Sequence, residues 1–269
     1  MIGCFIVAGA ALAWFIVAEL RNPAPLLQIR LLAERNFGIS MAVLTLFAIG
    51  MLGGTYLLPL YMQRGLGYTA LAAGSMFLPV GVIQGVLSAV SGYLTRYVRP
   101  LLLSAAGILV MALSFWLASR FTLHTTHGHI LFILYLRGFG MGLTFAPLNL
   151  FSLKNLTQQD MAAAAGISNS IKQLAGSIGI ALLTVIFSAR TSYHAAHETV
   201  SAAQTYVEGV TDALRVVAVI TLAALLPLLW VFRKKRPGKS GVKGAATPSP
   251  GEAVSGKTDK TTIYRTKPE

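Results

Sequence analysis

One arginine and one lysine stand where the surrounding sequence offers them little water. Arg137 falls about eight residues into the apolar run HILFILYLRGFGMGLTFAPL, and Lys172 sits at a similar depth in GISNSIKQLAGSIGIALL. A cation in lipid costs about 3 kcal/mol or more, so such residues pair, face a wet cavity, or serve a proton or solute pathway. For Arg137 two readings fit: a functional charge at mid-membrane, or a side chain that snorkels outward or bonds helix-end carbonyls. Lys172 comes with Asn169, Gln173 and Gly176, which fall on one side of a helix at 100° per residue. That strip either lines a cavity or makes interhelical hydrogen bonds. Gln84, Ser88, Ser91 and Thr95 make a second stripe, with Gly81, Gly85 and Ala89 beside it as a small-residue ridge. The ridge is expected to pack on a neighbouring helix while the stripe looks toward a cavity, unless Ser and Thr bond their own backbone. Gly138, Gly142 and Ala146 form another close-packing face, with Asn149 nearby and Pro147 set to kink the helix. Tyr56, Tyr61, Phe77, Met51 and Met76 are candidates for an adaptable apolar pocket, or for ordinary core.

The elements that must hold these residues follow from composition. Of 269 residues, 55% are hydrophobic and only 12% charged, and the mean hydropathy is +0.66. A soluble domain carries about 25% charged residues, so a water-soluble globule and a disordered chain are both excluded. Apolar runs of about 20 residues mark membrane helices. They occur at roughly 1–19, 38–60, 71–94, 101–119, 129–151, 164–189 and 211–232, seven in all. Lipid offers no partners to free backbone groups, so each must be helical, and the predicted class is an all-α integral membrane protein. The first run lacks the basic lead-in and the cleavage site of a signal peptide. With no lead-in before it, it also hints at truncation.

The net charge of +13 invites a nucleic-acid reading, but its location does not support one. Residues 233–269 hold ten basic and three acidic residues in a Gly-, Ser- and Pro-rich tail predicted to be disordered. Its Arg233–Arg236 cluster suits an anionic lipid surface and a topology anchor. Arg21, Arg30, Arg35, Arg96, Arg99, Lys154 and the tail share one side if spans alternate; Arg64, Arg120 and Arg190 share the other. The first side is predicted to be cytoplasmic. No Asp or Glu is expected deep inside a span, since Glu19 and Asp212 fall near predicted ends. The single cysteine, Cys4, excludes an intrachain disulfide.

Four segments in order carry a family resemblance. They are Glu19-Leu20-Arg21 with Pro23, Pro25 and Arg35-Asn36-Phe37; Leu57-Leu58-Pro59-Leu60-Tyr61-Met62-Gln63 with Gly67-Tyr68-Thr69-Ala70; Arg137-Gly138-Phe139-Gly140-Met141-Gly142 with Pro147-Leu148; and Asn169-Ser170-Ile171-Lys172-Gln173-Leu174-Ala175-Gly176-Ser177-Ile178-Gly179. Together they resemble the C-terminal half of fourteen-span major facilitator superfamily drug:proton antiporters of the EmrB/QacA type. The resemblance implies that residues 1–20 are a transmembrane linker helix, 21–37 a cytoplasmic loop and 38–232 a six-helix bundle, ahead of the tail at 233–269. It implies a substrate site shared with an N-terminal half, and alternating access. It makes Arg137 similar to the superfamily's proton-linked span-4 arginine. It also puts Lys172 where relatives carry Arg, which keeps the charge and loses the bidentate fork. Gly92-Tyr93-Leu94-Thr95-Arg96-Tyr97-Val98-Arg99 resembles the superfamily's gate motif, with Thr95 in the acid's place. Arg96 and Arg99 are therefore either gating residues or plain topology charges.

The function implied is multidrug efflux at a bacterial plasma membrane, by a probable fragment of a longer transporter. Its partners would be amphipathic toxic compounds, protons, the lipid bilayer and an N-terminal half, and in two-membrane bacteria a periplasmic adaptor and an outer-membrane channel. The alternatives are a non-transporting or decayed membrane protein, or an importer of small metabolites. No catalytic motif is present, and neither a cofactor nor nucleic acid is expected. His124, His127 and His129, and His194, His197 and Glu198, are dense enough to raise Zn²⁺, but the resemblance explains them as ordinary external-loop residues, and no metal site is expected.

Overall fold

In a computed structural model the described residues are Trp14 and 29–234, apart from 155, 159 and 198–200. The predicted run at 1–19, the loop before residue 29 and the tail beyond 234 lie outside them. After a 3-10 turn (Ile29–Ala33), eight α-helices follow: α1 (Arg35–Leu60), α2 (Ala70–Ser75), α3 (Leu78–Leu94), α4 (Pro100–Ala118), α5 (His127–Leu153), α6 (Met161–His197), α7 (Ala202–Ala223) and α8 (Leu225–Lys234). There is no strand among the described residues. Among the described residues six stretches are long and apolar enough to cross a membrane: Arg35–Gly65, Ala70–Leu94, Pro100–Ala118, His127–Leu153, Met161–Ala196 and Ala203–Trp230. They coincide with the last six of the seven predicted runs.

Local chemistry sets the ends. Glu34 caps α1, its carboxylate accepting from the Asn36 and Phe37 amides at 2.8 and 3.0 Å. Thr69 caps α2 through the Ala72 amide, and Ser201 caps α7 through the Gln204 amide. Pro59 deprives α1 of one amide donor near its end, and the helix widens into a π turn over Tyr61–Gly65. That turn is held by Tyr61, which donates to the Thr122 carbonyl at 2.7 Å and stacks on Phe121 at 4.9 Å between ring centres. By contrast α5 runs through Pro147 to Leu153 without a break in the helix.

Number the membrane-crossing stretches one to six. The main contacts are these: stretch one packs on four, five and six; four packs on one, two and three; three packs on six; and five packs on six. Exchanging one with four, two with five, and three with six maps each of these contacts except five–six onto another, a near-symmetry of the kind that two three-helix repeats give. Stretch one, α1, is the hub. Ideal Cβ atoms at Gly50, Gly53 and Gly54 would run into Thr221 of α7, Leu183 of α6 and Phe115 of α4 respectively. These glycines therefore serve close approach rather than bending. Each glycine admits a different helix, and α1 stays helical through all three.

Phe37, Phe47, Leu57, Ile108, Met111, Phe115, Ile133 and Leu214 are at most 1% exposed and form the core with their neighbours. Stretches two and five are the least covered. On α3, Leu78, Val82, Val86 and Val90 are exposed at four-residue intervals, and on α6 Leu174, Ile178, Leu182 and Val185 are exposed at intervals of three or four.

Candidate functional site

Among the described residues Arg137 is the largest fully buried side chain, 2% exposed. Its Nη2 donates to the Met51 carbonyl at 2.9 Å and also to the Thr55 hydroxyl, both on α1. The guanidinium carbon lies 5.4 Å from the centre of the Phe115 ring on α4. Nε and Nη1 have no hydrogen-bond partner, and among the described residues no carboxylate pairs with it. Sequence spacing exposed the buried charge, but its acceptors lie more than 80 positions away and no local pattern names them. Of the two sequence readings, outward snorkelling is excluded by burial. The side chain bonds a carbonyl in the middle of a helix rather than at a helix end.

A second feature opens between α1, α5 and α6. A cavity of about 370 Å³ is lined by Leu44 of α1, by Phe145, Asn149, Ser152 and Leu153 of α5, and by Ala165, Ser168, Asn169 and Lys172 of α6. It brings together Asn149, Asn169 and Lys172, which are separate motifs in the sequence. Gln173, one residue on, is exposed and is not part of the lining. Ser152 and Ser168 also face the cavity, but their hydroxyls donate to the Asn149 and Ala164 carbonyls, at 2.8 and 2.7 Å. The free polar functions are therefore two carboxamides and one ammonium. No carboxylate contributes to the lining.

The other candidates lie elsewhere. Tyr56 is 39% exposed and is an electrostatic neighbour of Tyr206 on α7, away from the cavity. Gln84 and Ser88 are half-buried, and neither lines the cavity. Arg96 and Arg99 are exposed at the α3–α4 connection. Arg96 stacks over Tyr93 at 5.4 Å, and Arg99 precedes Pro100 as the N-cap of α4. Thr95, where the gate motif has an acid, donates to the Gly92 carbonyl at 2.6 Å.

The small residues require one correction. Cβ atoms added at Gly81 or Gly85 would meet nothing within 4 Å, so that ridge does not pack on a neighbouring helix. The polar stripe faces α5 instead: Ser91 is buried and donates to the Gly142 carbonyl at 2.9 Å. The reason lies on α5. Gly138 and Gly142 leave room for Ile83 and Leu87, so α3 lays its bulkier side against α5's glycines and turns its own glycines outward. Gly176 on α6 likewise receives Leu52 of α1. Asp212 also differs from expectation. α7 begins at Ala202, nine residues before the predicted run, so Asp212 lies about three turns inside a helix, within the stretch Ala203–Trp230.

Six membrane-crossing helices, with a buried arginine and a separate polar-lined cavity, form a half-bundle of a helical membrane transporter. The chain belongs to the Major Facilitator Superfamily, whose family model matches residues 1–180. It is 32% identical over 197 residues to the multidrug export protein EmrB of Escherichia coli K12, covering 73% of this chain and 38% of that one. It is 31% identical over 189 residues to the uncharacterised MFS-type transporter YhcA of Bacillus subtilis, covering 70% and 36%. The fatty acid resistance protein FarB of Neisseria gonorrhoeae is 30% identical over 189 residues, covering 70% and 37%. The match spans little more than a third of the length of these relatives. The family is one of transporters rather than enzymes.

Proposed function

We propose that this chain supplies the C-terminal half of a proton-coupled multidrug efflux transporter that works by alternating access. The observation that carries the reading is the cavity between α1, α5 and α6, where Asn149, Asn169 and Lys172 converge among apolar walls. A mixed surface of this kind suits amphipathic compounds, whose apolar bodies meet Phe145, Leu44 and Leu153 while their polar ends meet the carboxamides and the ammonium. Relatives described as a multidrug export protein and a lincomycin resistance protein support the same class of substrate.

The open faces of α3 and α6 support the need for a second half. Both are apolar and least covered, and the exposed glycines of α3 leave room for another helix to approach closely. In this reading Gly81 and Gly85 belong to a seam with the N-terminal half, and Arg96 and Arg99 reach across it at one end as gating residues. Arg137 ties α5 to α1 so that the cavity walls move together. A periplasmic adaptor and an outer-membrane channel complete the assembly in two-membrane bacteria. The plasma membrane is the site of action, with the basic tail on the cytoplasmic side.

The test is dye accumulation in an efflux-deficient bacterial strain. The chain alone leaves accumulation unchanged, and co-expression with an N-terminal six-span half lowers it. Full efflux from the chain alone, or no efflux from the pair when both reach the membrane, sinks the reading.

A further inference from the structure

We propose that His194, Glu208 and Asp212 form a proton-binding site that clasps α6 to α7, away from the cavity and independent of the substrate reading. His194 projects from the last turns of α6, its side chain 16% exposed. Its Nε2 lies 3.1 Å from Asp212 Oδ2, and its Nδ1 lies 3.5 Å from Glu208 Oε2. Both carboxylates come from α7, four residues apart and so on one face of that helix. Glu208 Oε2 is buried and has no hydrogen-bond donor, while its Oε1 accepts from Gln204 at 3.2 Å. Asp212 Oδ1 accepts from Arg215 at 2.8 Å.

The geometry has a protonic consequence. A neutral imidazole carries one N–H and serves one of the two carboxylates; its other nitrogen then turns a lone pair toward the second. The imidazolium donates from both nitrogens and serves both. With His194 neutral, the group of His194, Glu208, Asp212 and Arg215 has a net charge of −1, and one proton brings it to zero. No bond other than N–H forms, and no redox partner is needed. Proton uptake therefore strengthens the α6–α7 contact, and release weakens it.

The other titratable groups nearby are few among the described residues. On α6 itself Tyr193 makes an edge contact with the His194 ring at 5.8 Å, and Arg190 stands exposed one turn earlier. From the π turn Arg64 interacts with Tyr206, which precedes Glu208 by two positions. From the α4–α5 connection His124 shares a small cavity with Glu208 and Gln204. None of these supplies either imidazole nitrogen with a carboxylate, which Glu208 and Asp212 do.

The experiment is amide hydrogen exchange on the full chain in lipid nanodiscs at about pH 5.5 and about pH 8, on either side of an ordinary imidazole's titration. Exchange times are scaled for the intrinsic pH effect, and peptides from α4 and α5 serve as the internal reference. The expected result is several-fold slower exchange at low pH for peptides spanning residues 188–197 and 203–212, with the reference peptides unmoved. In His194→Gln, which keeps one hydrogen bond and does not titrate in this range, that difference vanishes. In Glu208→Gln it shrinks while the reference peptides stay protected, which keeps the test usable if the histidine variant fails to fold. Equal scaled protection at both pH values in the unmodified chain overturns the proposal. So does a pH difference that survives in either variant undiminished.

Discussion

Arg137 Nη2 and the Met51 carbonyl lie 2.9 Å apart, which joins the middle of α5 to the middle of α1 through a charged donor and a backbone acceptor already used by its own helix. Thr55 donates to the same carbonyl at 2.6 Å. The guanidinium is thus held without a counter-charge, by one carbonyl, one hydroxyl and one aromatic face. Removing a buried charge that has no ionic partner relieves more desolvation than it forfeits in bonding.

Arg137→Met is therefore expected to leave the thermal midpoint of the chain in detergent equal or higher, because Met51 and Thr55 keep their intrahelical bonds. In a complete transporter the same variant abolishes efflux. A clear drop in the midpoint would assign Arg137 to stability alone, and undiminished efflux would remove its proposed role.

The α4–α5 contact admits no extra atom. A Cβ at Gly140 would stand 2.8 Å from the Met111 amide nitrogen, and one at Gly107 would stand 2.8 Å from the Gly140 carbonyl oxygen. Both neighbours are backbone and cannot step aside. Gly140→Ala is expected to cost about 1–3 kcal/mol, read from thermal or chemical unfolding in detergent.

Gly81→Ala and Gly85→Ala make the opposite prediction. Added methyl groups there meet open space. Each substitution leaves the stability of this chain unchanged, or raises it by up to about 1 kcal/mol as glycine leaves a helix interior. Gly85→Leu in a complete transporter lowers efflux by wedging the proposed seam, while the isolated chain tolerates it. Equal efflux with leucine in place would show that no second half packs on this face.

Lys172 carries the only charge lining the cavity. Lys172→Met is expected to change the ranking of substrates in a complete transporter, weakening export of amphipathic acids more than that of amphipathic cations. Lys172→Arg preserves the ranking. Competition of each class against a fluorescent dye measures it, and identical losses for both classes would detach Lys172 from substrate contact.

Tyr61→Phe deletes the bond to the Thr122 carbonyl and keeps the ring stack on Phe121. Its expected cost is about 1 kcal/mol, seen as a lowered unfolding midpoint. A larger loss would mean that the ring itself has shifted.

Much of the fold is legible in the sequence because lipid imposes one rule on every segment: an apolar run of sufficient length is a helix. The runs at 101–119 and 129–151 differ from α4 and α5 by one or two residues at each end. The run at 211–232 fails at its start, since Gln204, Glu208 and Asp212 lower hydropathy while capping by Ser201 and packing of Val207 and Val210 still favour a helix. Arg137 and Lys172 stand out as charges against apolar neighbours. Their surroundings do not, because Met51, Thr55 and Leu44 are chosen by tertiary packing. The stripe and ridge of α3 were separable by helical period, but which of them faces inward depends on glycines of α5 some fifty residues later. The pairing of His194 with Asp212 is not legible because the predicted run at 164–189 stops short of His194, whereas α6 continues to His197.

The hub position of α1 also bears on the order of assembly. Its principal neighbours, α6 and α7, begin more than a hundred residues after its own end. During synthesis α1 reaches the bilayer well before α6 and α7 and then waits, with Gly50 and Gly53 unfilled, until those two helices are inserted. Stretches two to four, by contrast, find one another among neighbours in sequence. The late-arriving helices thus close a bundle whose hub is already in place, and a ribosome that stops before residue 202 leaves α1 without its α7 contact.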